Sequence, residues 1–203
     1  MANERRANEG QTGALDGIAS HARKAGSKKG PPPVHLWNPP FCGDIDMRIA
    51  TDGTWYYLKT PIGRSALVKL FAAVLKREDD KYFLVTPVEK VGITVDDAPF
   101  TAVEMKQEGE GAARVLSFRT NVDDWVACGP DHALRFETES VTSGLKPYLH
   151  VRRDLWAKVT RALFSDLVEL GEERELEGEN MFGIVSSGEF FAMAPADSLK
   201  EFA

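Results

Sequence analysis

The sequence is short of the features by which an activity is usually recognised. Only two cysteines, Cys42 and Cys128, occur in 203 residues, far apart and in no CxxC pair. That leaves neither a disulfide framework nor a zinc-ribbon pattern. No apolar run approaches the roughly 18 residues a membrane-spanning helix needs, and the N-terminal stretch lacks the apolar core of a secretory signal. The thiols are therefore expected to be reduced and the chain cytoplasmic, with no membrane insertion. P-loop, GxGxxG, GxSxG and HExxH patterns are all missing, so the common catalytic and cofactor signatures fail. No catalytic residue, metal or cofactor is assigned.

Excess positive charge is lacking too. The net charge is −6. Residues 1–30 carry six Lys/Arg against three acids, about +3, which leaves about −9 on the remainder. An acidic body repels a polyphosphate backbone, which argues against a reader of duplex nucleic acid. A small anion held in a local basic pocket is compatible with it.

What is present has the make-up of a globular α+β chain, with 43% hydrophobic and 28% charged residues,. Residues 1–30 show no sustained apolar period and read as a flexible tail, with at most a fragment of helix near Leu15–Ala22. Pro31-Pro32-Pro33 imposes an extended lead-in. From Asp44 the pattern alternates, placing Asp44, Asp46 and Arg48 on one strand face and Ile45, Met47 and Ile49 on the other. Asp52-Gly53 is a hairpin signal with its return strand over Thr54–Lys59. A helix is expected over Ser65–Arg77, with Leu67, Leu70, Phe71, Val74 and Leu75 at helical spacing. Strands follow at Tyr82–Thr86 and Glu89–Val95, giving ββαββ.

The second half repeats the order. Strands are expected at Thr101–Gln107, Arg114–Arg119, Asp124–Cys128 and Leu134–Glu137. A long helix follows over Asp154–Gly171, its face made by Trp156, Val159, Leu163 and Leu167. Residues 172–177 read as a solvated acidic connector before a hairpin, Met181–Ser186 and Glu189–Met193. Aligning the two helix starts pairs Arg64 with Arg153 and Leu67 with Trp156, a pattern that suggests duplication.

Those helix starts hold the most pointed chemistry. The positive end of a helix favours an anion, so Arg64, Arg152 and Arg153 beside it each call for a negative partner. That partner is either an internal carboxylate (Asp44, Asp46, Asp96 or Asp97) or a ligand phosphate or carboxylate held by a guanidinium. Asp44-x-Asp46 with Asp96-Asp97 supplies too few converging oxygens for a hard cation unless more join. Cys128-x-x-x-His132 lacks a second zinc-ligand pair. Cys42 reads as a buried free thiol, with redox sensing as the alternative. Trp37, Trp55 and Trp156 read as core, with an aromatic platform for a base as the alternative.

The runs PPVHLWNPPFCGDIDMRIATDGTWYYLKTPIGR, YFLVTPVEKVGITVDDAPF and PYLHVRRDLWAKVTRALFSDLVEL resemble the bacterial domain-of-unknown-function family 1285 (DUF1285) over about Pro32–Met193. The resemblance implies a tandem of two similar α+β modules, the second like a pleckstrin-homology partly open barrel with one capping helix. It implies no catalytic activity, a ligand between the modules and a part in signal transduction. The expected organisation is thus a tail over 1–30 and modules over 31–97 and 98–203. The expected role is that of a non-catalytic module for a small anionic or nucleotide-like ligand. Arg64, Lys90, Arg152 and Arg153 would supply charge, Trp37 or Trp55 stacking, and Asp44 a polar contact. A protein-interaction adaptor without a small ligand, its partner a signalling protein, is the alternative. An enzyme of unfamiliar type using Asp44, Asp46 or Glu89 is the weaker one.

Overall fold

The computed structural model describes residues 15–24, 32–139 and 144–199. The chain divides into two compact units, Met1–Asp96 and Asp97–Ala203.

Unit 1 opens with a helix over residues 15–24, α1. It stands where a fragment of helix was expected, near Leu15–Ala22, with Ile18, Ala19 and Ala22 buried along one helical face,. The rest of the expected tail, 1–14 and 25–30, lies outside the described residues, as does Pro31. A 3-10 turn, Val34–Leu36, leads to β1 (Phe41–Ile49), β2 (Trp55–Tyr57) and β3 (Thr60–Pro61). Helix α2 (Ser65–Ala73) follows, then β4 (Leu75–Glu78), β5 (Lys81–Val85) and β6 (Lys90–Val95). The sheet order is β3-β2-β1-β6-β5-β4, with β1 and β6 parallel at its centre.

Local chemistry accounts for most of this. Asp44, Asp46 and Arg48 are exposed on β1 while Met47 and Ile49 are buried. Gly53 takes φ +84 in the Asp52-Gly53 turn, and the Asp52 carboxylate accepts the Thr54 N–H at 2.8 Å,. The return strand is shorter than expected, because Leu58 and Lys59 adopt left-handed φ of 49° and 62° and turn the chain into β3. Helix α2 likewise stops at Ala73 rather than Arg77. Asp79 and Asp80 are both left-handed, a primed hairpin turn that folds Leu75–Glu78 onto Lys81–Leu84 as a strand. Trp55, Phe71, Met47, Ile49, Leu75 and Leu84 form the core.

Unit 2 contains β7 (Phe100–Glu108), β8 (Val115–Thr120), β9 (Trp125–Ala127), β10 (Leu134–Thr138), β11 (Leu145–Arg152) and β12 (Leu155–Val159). Then come α3 (Arg161–Glu169), a three-stranded sheet of β13 (Glu172–Leu176), β14 (Glu179–Ser186) and β15 (Glu189–Pro195), and α4 (Ala196–Leu199). The six-stranded sheet runs β10-β11-β12-β7-β8-β9, with β12 parallel to β7.

Counted within each unit, both sheets follow the order third-second-first-sixth-fifth-fourth strand. Each is two antiparallel meanders joined by one parallel pair of first and last strands. The chain is thus an α+β tandem of two similar modules.

The helices do not repeat. Helix α2 lies between the third and fourth strands of its module, whereas α3 follows the sixth strand of the other. The pairing of Arg64 with Arg153 is therefore not a structural equivalence, and the helix expected over Asp154–Gly171 is corrected to a strand and a shorter helix. Leu155, Ala157 and Val159 are buried and alternate with half-buried Trp156 and Lys158, the period of a strand,. The helical period begins only after Thr160, with Leu163 and Leu167 buried. The acidic run is likewise a strand, β13, paired to β14.

Candidate functional site

The chain from β2 to α2 builds a cleft. The Leu58 N–H donates to the Asp46 carbonyl at 2.9 Å and the Ile62 N–H to the Trp55 carbonyl at 2.7 Å. These bonds hold the left-handed Leu58-Lys59 turn and the Pro61-Ile62-Gly63 approach against the sheet. Tyr57, Leu58, Thr60, Pro61, Ile62, Gly63, Arg64 and Leu67, with Leu15 of α1, line a cleft of about 550 Å³.

Arg64 is the N-cap of α2, in extended conformation at φ −88°, ψ 101°, and its carbonyl accepts the Leu67 and Val68 N–H groups at 2.9 and 3.2 Å. A guanidinium offers no acceptor, so no side chain caps this helix, and its first turn holds no acid,. A cation thus sits at the positive end of the helix dipole. Among the described residues the exposed Arg64 side chain meets no carboxylate. The Tyr57 phenol in the cleft wall is held above its ordinary pKa by burial, then by the nearby charges of Asp46 and Asp16.

The other sequence-predicted residues do not gather here. Lys90 donates to Glu78 at 2.8 Å and lies 4.8 Å from the Phe83 ring centroid. Trp37 packs on the cluster of Val34, Phe83 and Val85. Trp55 is 1% exposed and stacks on Phe71 at 6.3 Å, a core position. Asp44 is exposed beside Gly92, on a smaller cleft of about 360 Å³ lined also by Asp80, Tyr82 and Thr94.

Arg152 ends β11 and Arg153 stands in the turn to β12, not at a helix start, which corrects their expected setting. Arg152 Nη1 donates to Asp124 at 2.6 Å, with its guanidinium 5.0 Å from the Phe100 ring centroid. Arg153 has a left-handed φ of 51°. Its pKa is lowered by burial and then by Arg152.

Of the aspartates proposed as internal partners, Asp96 takes Arg48 at 3.5 Å, while Asp97 takes Lys158 and the Tyr148 hydroxyl at 2.8 and 2.7 Å. Among the described residues no three His, Cys, Asp or Glu side chains stand together to hold a metal ion.

The residue that does begin a helix in unit 2, Arg161, was not singled out in the sequence. It lines a cleft of about 490 Å³ with Lys146, Lys158, Pro147 and Phe164. Thr160, an N-cap residue type directly before it, was the available signal. Lys146 and Lys158 there are each paired, to Glu139 at 2.5 Å and Asp97 at 2.8 Å.

Comparison with known proteins places the whole arrangement in one family. Residues 32–98 match the family model described as domain of unknown function (DUF1285), N-terminal domain, and residues 99–193 match its C-terminal domain. Helix α1 lies N-terminal to both spans. A crystal structure of a DUF1285 family protein from Silicibacter pomeroyi is 50% identical, with a TM-score of 0.81, covering 90% of this chain and 97% of its own. Another, from Shewanella baltica, is 31% identical over 61% of this chain and 90% of its own, with a TM-score of 0.48. No curated protein matches the chain.

Proposed function

The chain belongs to the DUF1285 family, whose name carries no activity, so we propose its role from its own geometry: a non-catalytic module that holds a small anion at the N-terminus of α2. One observation carries the reading. Arg64 lines a cleft of about 550 Å³ at an uncapped helix start with no carboxylate beside it among the described residues. A phosphate or carboxylate there would accept charge-assisted bonds from the guanidinium and face the free end of the helix dipole. The apolar walls Leu58, Ile62 and Leu67 suit an anion with an organic body, such as a nucleotide-like ligand. Intracellular signalling in the cytoplasm is the setting this reading assumes. Helix α3, directly after the last strand of the second sheet, supports likening unit 2 to a pleckstrin-homology module.

Calorimetric titration with phosphate, pyrophosphate and nucleoside mono- and diphosphates tests the proposal. Arg64→Ala should weaken whichever compound binds about tenfold or more, the weight of a charge-assisted contact. Absence of heat with every compound at millimolar concentration sinks it.

A second reading, an adaptor for a protein partner, draws on exposed apolar side chains in unit 1. Leu36, Phe41 and Val88 are 73%, 55% and 55% exposed,. A stoichiometric partner that co-purifies with the chain and is lost from Leu36→Ser and Phe41→Ser variants would favour it.

A further inference from the structure

Helix α1 does two things at the Arg64 cleft. Its residue Leu15 forms part of the wall. Its next residue, Asp16, is exposed on the same first turn and close enough to Tyr57 for its charge to be felt by that phenol.

The attachment of α1 is slight. Leu15, Ile18, Ala19 and Ala22 fall at helical spacing, yet only the last three are buried, and two of them are alanines. By contrast α2 buries Leu67, Phe71 and Ala72. Since burial free energy scales with apolar area, one isoleucine and two alanines make a weak anchor. His21 Nδ1 to Glu89 Oε1 at 2.9 Å is a polar tie on it, with both side chains partly exposed. The helix also lies outside the span that defines the family's N-terminal domain.

We propose that α1 is an autoinhibitory strap on the Arg64 cleft: docked, it narrows the cleft with Leu15 and sets the Asp16 carboxylate against any anion bound there. This rests on the anion reading of the cleft and adds its regulation. A like charge held near a binding site lowers anion affinity by Coulomb repulsion. Linkage makes the effect reciprocal, so a bound anion loosens α1 to the same degree that docked α1 weakens the anion. Whatever draws α1 away, a competing partner for its apolar face or loss of the His21–Glu89 tie, opens the cleft.

The experiment titrates inorganic pyrophosphate into the full chain and the Asp16→Asn, His21→Ala and Arg64→Ala variants, and follows hydrogen exchange of the 15–24 amides. Asp16→Asn should tighten pyrophosphate by about two- to fivefold, the weight of one partly screened charge, and His21→Ala should tighten it by up to about the same factor by loosening α1. Pyrophosphate should speed exchange in α1. If Arg64→Ala abolishes binding while the two α1 variants and the exchange rates stay unchanged, the strap is refuted and the cleft stands. If binding ignores Arg64→Ala, or no variant binds, the cleft reading fails and the strap with it.

Discussion

The carboxylate of Asp44 occupies the space above Gly92 that a side chain there would fill: a Cβ at Gly92 would come within 1.9 Å of Asp44 Oδ1. The two residues face each other across the parallel β1–β6 pair. The collision is with the end of an exposed side chain and not with backbone, so Asp44 can swing aside. Gly92→Ala should therefore cost at most about 1 kcal/mol. In an Asp44→Ala background it should turn neutral or stabilising, because alanine lowers the entropy of the unfolded chain. Urea denaturation of the two single variants and the double variant measures the coupling. An equal cost in both backgrounds would show that the carboxylate is not what Gly92 accommodates.

Glu78 gives the first sheet a pH signature. It accepts from Lys76 at 2.7 Å and Lys90 at 2.8 Å, and these bonds hold its carboxyl below the ordinary glutamate value of 4.5. A lowered acid stabilises the fold above its unfolded pKa, and that contribution disappears as pH falls through the folded value. Glu78→Gln should thus lower stability at pH 7 by about 1 kcal/mol or less, since partly exposed ion pairs are screened. The gap from wild type should close towards pH 3. Denaturation midpoints at both pH values check it, and a gap that is constant or wider in acid contradicts the assignment.

How much of this was legible in the sequence follows from the range of each interaction. The alternation of β1, the Asp52-Gly53 turn and the start of α2 after Arg64 are local, and they read directly. The β12–α3 boundary did not, because Trp156, Val159, Leu163 and Leu167 keep helical spacing across a junction where a strand ends and a helix begins. The buried set Leu155, Ala157 and Val159 fits a strand equally well, and only pairing to β7 and β11 decides it. Pro147 hid β11, although its neighbour Tyr148 is 4% exposed in mid-sheet.

The arginines show the same limit. That Arg64 stands at a helix start was readable, but what meets it was not. The carboxylate that takes Lys90 is 12 residues away and the one that takes Arg152 is 28 away. Helix α1 was readable only as a fragment, since one isoleucine and a few small residues make a faint apolar stripe.

The two thiols should differ in kind. Cys42, expected to be buried, is exposed at the start of β1, its Sγ 3.5 Å from the Pro40 carbonyl. Cys128 is fully buried, and burial pushes its pKa up to about 12. Since the thiolate is the reactive form, iodoacetamide at pH 8 should modify one cysteine in the native protein and two in guanidinium. Cys42→Ser should abolish native labelling, as read by intact mass. Prompt native labelling of the Cys42→Ser variant would mean that Cys128 opens to solvent far more readily than its burial allows.

Arg152 separates a ligand role from a structural one. Its guanidinium is held between Asp124 at 2.6 Å and the Phe100 ring at 5.0 Å, with the side chain 20% exposed. Truncation to alanine leaves the Asp124 carboxylate without this donor and removes a cation from the face of a fully buried aromatic. Together these should cost about 1–2 kcal/mol. Arg152→Ala should accordingly lower the melting temperature by several degrees and leave pyrophosphate binding as in wild type. Arg64→Ala, on an exposed side chain, should do the reverse, with melting nearly unchanged and binding lost. If Arg152→Ala instead weakens pyrophosphate without lowering the melting temperature, the turn of β11 and β12 is the anion site and the Asp124 pair is incidental to it.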